Sequence, residues 1–373
     1  MPHRKQRARP KKVRAAPSKW RRGNVKFRFI DLFAGIGGMR LALERVGGGC
    51  VYACEIDRHA RETYQANFEV PDPELFPEDI NEVTKELKKN PGVVPDHDLL
   101  VGGFPCQPFS LAGIPVRKAL GRPQGFECPD QGNLFLRIMD ILNAKQPSAF
   151  LLENVKHLRS HDEGRTFRTI MGLLERDYHV QYDVLNANRW LPQNRERIFL
   201  VGFRKNLKPP IEFGFFSMKF FDPGPGSKRL GDILERESDI DIDRYTLTPG
   251  VWRSLQRHRA KHEKAGKGFG YSKVGENDMA RTLTARYYKD GAEILIDRGP
   301  EEIPRRLTPR ECARLMGFPE RPKFRIPAKM SDVQLYRQFG NSVAVPVVEH
   351  IGNEMLADLQ RIGARRQSRR RKR

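Results

Sequence analysis

The chain has 373 residues, 38% of them hydrophobic, which suffices for one large domain or two of moderate size. No run approaches the length needed to span a bilayer, and the five cysteines (Cys50, Cys54, Cys106, Cys128, Cys312) form no CxxC pair and no disulfide framework. The net charge is +22, but residues 1–22 hold ten Lys or Arg, residues 361–373 hold eight, and neither segment has an acid, leaving +4 between them. Two basic, disordered tails are therefore expected, with phosphate backbones as their natural partner. With no apolar stretch at the N-terminus to direct secretion, reduced thiols and a cytoplasmic location are expected.

In chain order, Phe27 to Leu32 reads as a strand. Gly35, Gly37 and Gly38 then turn it into a helix with apolar positions Met39, Leu41, Ala42, Leu43 and Val46, ended by Gly47 to Gly49. A second strand, Cys50 to Cys54, finishes at Glu55. Strand, Gly-rich turn, helix, strand and acid form the nucleotide-binding half of a doubly wound sheet, with the acid placed for a ribose hydroxyl pair. The turn is G-x-G-G, and Arg40 stands where the third glycine of a dinucleotide fingerprint would be. That departure argues against pyrophosphate and leaves an adenosyl ligand without phosphate open, with a plain β–α turn as the ordinary alternative.

A Pro-rich connection leads to Asp79-Ile80 and a helix from Glu82 to Lys89. The apolar run Asp98 to Val101 then enters VGGFPCQPFS (101–110). Pro105 and Pro108 stiffen the turn around Cys106, which places a thiol at the carboxyl end of a parallel strand, where open α/β sheets bind ligands. The ordinary alternative is a small buried cysteine. Residues 112–130, rich in Gly and Pro without periodicity, suit a lid over that thiol. A helix from Asn133 to Ala144 precedes a strand, Ser148 to Leu152, that delivers Glu153. A carboxyl group beside an apolar strand has a raised pKa and suits proton donation, unless it only caps the next turn.

A helix over Glu163 to Arg176 and strands over Tyr178 to Asn186 and Arg197 to Phe203 follow. Arg195 and Arg197, two apart, point to one side and can aim into one crevice. Composition shifts after Lys205. In the irregular region beyond, RTLTARYY, Asp290-Gly291 and AEILI suggest a hairpin that fits a major groove, with Arg281 or Arg286 on guanine edges, or else an ordinary surface hairpin. A helix begins at Thr308-Pro309, with Glu311 completing a capping box.

Taken together, DLFAGIGG (31–38), Glu55, Asp79-Ile80, GFPCQPFS (103–110), ENV (153–155), QNRERIFLVG (193–202), RRLTPRECARLMGFP (305–319) and RQFGNSVAVPV (337–347) resemble, in order, the motifs of C5-cytosine DNA methyltransferases. Glu78 stands where a Gly often precedes the third-motif Asp, and Ile56 where a Trp often follows the ribose-binding Glu. The resemblance implies an α/β fold: a doubly wound, mostly parallel sheet (residues 23–205 plus 330–360) with a smaller, irregular β-rich target-recognition domain (206–329). It implies S-adenosylmethionine as cofactor, held around Phe33, Gly35, Gly37, Glu55, Ile56, Asp79, Ile80, Pro105, Asn341 and Val343. It also implies catalysis on a flipped-out cytosine by Cys106, Glu153, Arg195 and Arg197, with no metal. Gln107, Ser110, Arg281, Thr284, Arg286 and Tyr287 are the expected DNA contacts. Residues 266–274 and 280–299 look like the recognition segment of Dcm and EcoRII-type bacterial enzymes, which read CCWGG. The inner cytosine of CCWGG in double-stranded DNA is the expected substrate, for a monomeric, nucleoid-associated bacterial protein with or without a cognate restriction endonuclease. CCNGG, CCGG, transfer RNA and a catalytically silent DNA-binding regulator are the alternatives.

Overall fold

A computed structural model describes residues 25–105, 133–207, 211–214, 228–266, 270–320 and 323–371. A six-stranded sheet is laid down by β1 (Phe27–Leu32), β2 (Gly48–Cys54), β3 (Leu99–Gly103), β4 (Ala149–Val155), β5 (Tyr178–Asn186) and β6 (Glu196–Arg204) in the order β2-β1-β3-β4-β6-β5. The pairs among β2, β1, β3 and β4 are parallel, and β6 runs antiparallel to both its neighbours. The sheet is mostly parallel because its strands read as continuous apolar runs, which only a sheet covered on both faces can bury. Alternate residues divide between the faces. Phe29 and Leu151 join one core, whereas Ile30, Leu100 and Leu152 join the other.

Helix α1 (Gly38–Arg45) lies on the first face with the last helix, α10 (Val345–Arg371), against it. Helices α3 (Ile80–Leu87), α4 (Asn133–Lys145) and α5 (Arg165–Leu174) cover the second, through residues such as Val83, Ile138 and Ile170. Helix α2 (Arg58–Asn67), which the pattern had not suggested, is capped by Asp57, whose side chain accepts from the Ala60 amide at 2.8 Å. Glu153 proves to lie inside β4, and β2 begins at Gly48, where the preceding helix was expected still to be ending. Glu163 falls outside α5 because Asp162 and Glu163 have positive φ and Gly164, at φ 79°, caps the helix.

Between β6 and α10 the chain forms short helices and a three-stranded sheet, β7 (Lys273–Val274), β8 (Leu295–Ile296) and β9 (Arg305–Arg306). The helices are α6 (Ile242–Tyr245), α7 (Pro249–Lys264), α8 (Pro309–Leu315) and α9 (Asp332–Asn341). Helix α8 starts as expected: Thr308 Oγ1 accepts from the Glu311 amide at 3.0 Å and Glu311 Oε2 from the Thr308 amide at 2.8 Å. The same carboxylate grips buried Arg305 in a two-pronged bond of 2.8 and 2.9 Å.

The expected hairpin over 281–296 does not form. Residues 281–284 lack regular structure, 285–290 are turns, and Leu295–Ile296 pairs instead with β7 and β9. Asp290 turns the chain by accepting from the Ala292 amide at 3.1 Å, and Tyr287 is drawn into the core, where its hydroxyl donates to Ile294 O at 2.7 Å. Tertiary packing therefore outweighs the local Asp-Gly signal. The C-terminal basic segment also differs from the expected disorder. Helix α10 continues to Arg371, Ile362 is buried, and Arg361 pairs with Asp358 and Glu212. Residues 1–22 lie outside the described residues.

Candidate active site

Four parallel strands end together. Leu32 is in register with Cys54 and Gly102, and Gly103 with Glu153. Their exits open into a cleft of about 590 Å³ at the carboxyl edge of the sheet. Phe33, Gly35, Glu55, Ile56, Asp79, Ile80, Pro105, Asn341 and Val343 line it, and so do Glu153, Arg195 and Arg197. Cys106, Gln107, Ser110 and the lid segment 112–130 lie outside the described residues.

On one side of the cleft, Glu55 Oε2 accepts from the Gly35 amide at 2.7 Å and Oε1 from the Asp57 amide at 2.7 Å. Burial raises its pKa, and those two amides oppose the rise. Arg61 of α2 fixes the loops around this acid, donating to Glu55 O at 3.1 Å, Pro77 O at 3.0 Å and Phe76 O at 2.9 Å. Beside Glu55, Ile56 is 69% exposed at the cleft wall. Asp79 uses Oδ1 to cap α3 through the Asn81 amide at 2.8 Å. Phe33 holds a φ of 57°, rare for a bulky side chain and concentrated at functional sites.

Asp31, not singled out from the sequence because it sits inside an apolar strand, also lines the cleft. It is 1% exposed, its Oδ2 has no hydrogen-bond partner, and burial pushes its pKa up to about 8 despite Arg40 nearby. Gly37 is corrected. It does not line the cleft but caps α1 at φ 84°, and a Cβ there would lie 2.2 Å from the Phe68 ring.

On the other side, the register of β4 with β6 pairs Val155 with Arg197, so Arg197 Nε meets Glu153 Oε1 at 3.1 Å. Burial raises the Glu153 pKa, with Arg197 and Arg195 opposing. Asn154 anchors the turn towards residue 106, donating from Nδ2 to Phe104 O at 3.2 Å.

Arg195 spends most of its terminal donors on backbone. It is 2% exposed, with Nη1 donating to Leu283 O at 2.8 Å and Nη2 to Gly340 O at 3.0 Å and Ser342 O at 2.6 Å. Burial and neighbouring Arg197 disfavour its charge, and Glu153 favours it. It ties segment 281–284 to the end of α9 at Gly340 and Asn341 and to Ser342, just before Val343. Gly340 permits the contact, since a Cβ would lie 2.3 Å from the Thr284 backbone.

Cys50, Cys54 and Cys312 are buried thiols with raised pKa values, those of Cys50 and Cys54 at about 12, so none is a poised nucleophile. Among the expected DNA contacts, Arg281 and Arg286 are exposed. Thr284 is half-buried and bonded to Glu293 Oε1 at 2.5 Å. Tyr287 is corrected: it is fully buried, its hydroxyl accepts from the Leu307 amide at 2.8 Å, and it cannot reach a base.

Residues 27–357 match the family described as C-5 cytosine-specific DNA methylase. The chain is 44% identical to a DNA-cytosine methyltransferase of Escherichia coli strain K12, over 91% of this chain and 80% of that protein. It is 45% identical to the Type II methyltransferase M.DsaV of Dactylococcopsis salina, over 89% of this chain and 86% of the relative. In structure it resembles the S. pombe Dnmt2 methyltransferase, with a TM-score of 0.67 at 23% identity over 88% of this chain and 98% of that one, a likeness of fold.

Proposed function

The chain belongs to the C-5 cytosine-specific DNA methylase family, and on that premise we propose that it methylates C5 of a flipped-out cytosine in duplex DNA, the inner cytosine of CCWGG. The observation that carries the reading is one cleft holding Glu55 and Ile56 on one side and the Glu153–Arg197 pair on the other.

S-adenosylmethionine is the family's cofactor, and the residues present fit it. Unpartnered Asp31 Oδ2 suits a cationic methionine end, exposed Ile56 an adenine face, and nothing lies within 4 Å of a Cβ built on Gly35. Glu55 would accept from the ribose hydroxyls, Ile56 and Ile80 would flank the base, and Phe33, Gly35, Asp79, Pro105, Asn341 and Val343 would complete the enclosure. When bound, the cofactor supplies an electrophilic methyl group.

C5 of cytosine is a poor nucleophile, and the chain's residues serve to make it a better one. The Cys106 thiolate adds to C6, forming an S–C6 bond and moving the C5–C6 π pair towards C5. Glu153, its pKa raised by burial, donates to N3 and accepts from the exocyclic amine, stabilising the charge that develops. Arg197 holds Glu153 in place and meets the base. Arg195 acts as a positioning residue that fastens the recognition segment to the cofactor loop. After C5 is methylated its proton leaves to a base and the S–C6 bond breaks, which returns the thiolate. Because a stacked base is out of reach, the cytosine is flipped, with the segment after Cys106 as lid. Among the described residues, Cys50, Cys54 and Cys312 are buried and unfit for the role, and Cys106 follows in sequence directly on Pro105, which lines the cleft after β3.

Residues 23–205 with 330–360 would form the catalytic domain and 206–329 the recognition domain. A monomer acting on the nucleoid, beside a cognate endonuclease or alone, fits that arrangement. The specificity rests on segments 266–274 and 280–299. Methyl transfer from labelled S-adenosylmethionine to duplexes containing CCAGG, CCCGG or CCGG, and to RNA, tests it. Label on CCAGG alone is expected. Label on CCCGG as well moves the reading to CCNGG, and label only on RNA overturns the DNA substrate.

A further inference from the structure

Helix α7 carries an arrangement that folding alone does not explain. Leu255 is its only buried residue, packed with Leu247, Ala292 and Leu295. Trp252 stacks edge-on to Tyr271 with ring centroids 4.8 Å apart, and Arg259 covers the same Tyr271 ring at 4.9 Å. These contacts fix one face of the helix inward. The helix has five Lys or Arg and one acid, Glu263, which pairs with Arg259 at 2.8 Å.

The other four cations, Arg253, Arg257, Lys261 and Lys264, are exposed. Their spacings of four, four and three put them within roughly 80° of arc at 3.6 residues per turn, opposite Leu255. Among the described residues, no ion pair or hydrogen bond involves any of the four side chains. Like charges four apart destabilise a helix by about 0.2–0.5 kcal/mol per pair. The helix dipole favours Lys261 and Lys264 near the C-terminus but not Arg253 in the N-terminal half. The stripe therefore costs helix stability, as a surface built to meet a polyanion would.

We propose that this face of α7 is a sequence-independent clamp on the phosphate backbone of duplex DNA beside the target cytosine, an inference that rests on the reading of DNA as the substrate. The stripe spans about 16 Å along the helix axis. Duplex DNA offers one negative charge per roughly 1.7 Å of its own axis, so four long side chains can each find a phosphate. Its location fits the task. The inward face of α7 packs on Ala292 and Leu295, which follow directly on segment 281–290 with exposed Arg281 and Arg286. Phosphate contacts here would set the register in which that segment meets the bases.

The test uses the full chain with both basic tails retained, comparing wild type with the variant Arg253→Gln, Arg257→Gln, Lys261→Gln, Lys264→Gln. Glutamine keeps helix propensity while removing charge. Binding to a CCAGG duplex and to a scrambled duplex is followed by anisotropy across a salt series. The slope of log K against log salt should flatten by about 3–4, at roughly 0.9 per phosphate contact. Both duplexes should weaken alike, leaving their affinity ratio unchanged. The charge-conserving variant Arg253→Lys, Arg257→Lys should keep the wild-type slope, which separates lost charge from a damaged fold. An unchanged slope in the glutamine variant, with wild type binding DNA normally, overturns the clamp and leaves the functional reading standing. Failure of wild type itself to bind or methylate duplex DNA overturns the functional reading instead.

Discussion

Replacing Arg195 by Met should unfasten two parts of the molecule at once. The substitution roughly conserves volume, so no large cavity opens and the change isolates the guanidinium. Two buried carbonyls, of Leu283 and Gly340, and the part-buried one of Ser342 would lose their donor. An unsatisfied buried acceptor costs about 1–3 kcal/mol, so the loss is roughly 2–6 kcal/mol for the two buried carbonyls, with a smaller addition from Ser342. Relief from holding a charge away from water returns several kcal/mol. The balance is a destabilisation of about 3 kcal/mol. Arg195→Lys keeps the charge but not the planar fork that reaches three carbonyls, and should lose about half as much. Urea denaturation measures the first effect. Calorimetric titration with S-adenosylmethionine measures the second, because Asn341 lies between two of the released carbonyls, and affinity should fall by about tenfold, or 1.4 kcal/mol. Stability within about 0.5 kcal/mol of wild type, with unchanged cofactor affinity, would refute the fastening role.

Glu153→Gln, nearly isosteric, should leave the fold intact and lower turnover by on the order of 10²–10³, read as label transferred to a CCAGG duplex; a loss under threefold would remove Glu153 from charge stabilisation. On the proposed cofactor contact, Asp31 should make S-adenosylmethionine binding pH-dependent. Its folded pKa of about 8 exceeds the ordinary 3.8, so its neutral form is favoured and its contribution to folding stability declines as pH rises between those values. A cationic ligand needs the ionised form, so S-adenosylmethionine affinity should rise with pH towards about 8 and level above it. Titration calorimetry of Asp31→Asn should show that rise abolished, and a persisting rise would exclude Asp31 as its origin. Gly37→Ala should destabilise by about 1–3 kcal/mol, because φ 84° and the Phe68 ring oppose a side chain there. Thermal unfolding reads that loss, whereas weakened cofactor binding without it would return Gly37 to the binding site.

Most of the catalytic framework was legible because its signals are local. An apolar run broken by glycines ends in an acid at Glu55, and an apolar strand ends in Glu153, so the sheet's carboxyl edge could be drawn from chain order alone. The capping box at Thr308 and Glu311 was equally readable. Helix α2 was not. Its buried positions are Ala60, Thr63 and Tyr64, too small and polar to mark a stripe, and its cap at Asp57 was the one clue. The roles of Arg195 and Tyr287 depend on partners 88 to 147 and 7 to 20 residues away. Residue type suggested reactive or DNA-facing groups, whereas the tertiary structure uses both to hold backbone. The Asp-Gly hairpin failed for the same reason, since burying Tyr287 outweighs a turn preference. Gly37 looked like a ligand contact until Phe68 was found in the space beside it.

The proposed reaction turns on a covalent adduct between Cys106 and cytosine C6, which a duplex with 5-fluorocytosine at the inner position of CCAGG should trap. Fluorine replaces the proton that must leave C5, so methylation proceeds and release cannot. Incubation with S-adenosylmethionine should give wild-type protein a complex that survives denaturing electrophoresis, with a peptide containing Cys106 bonded to the methylated base by mass spectrometry. Cys106→Ser should give none. An equally stable complex from the serine variant, or wild-type methylation of ordinary CCAGG with no trapped complex on the fluorinated duplex, would contradict the account.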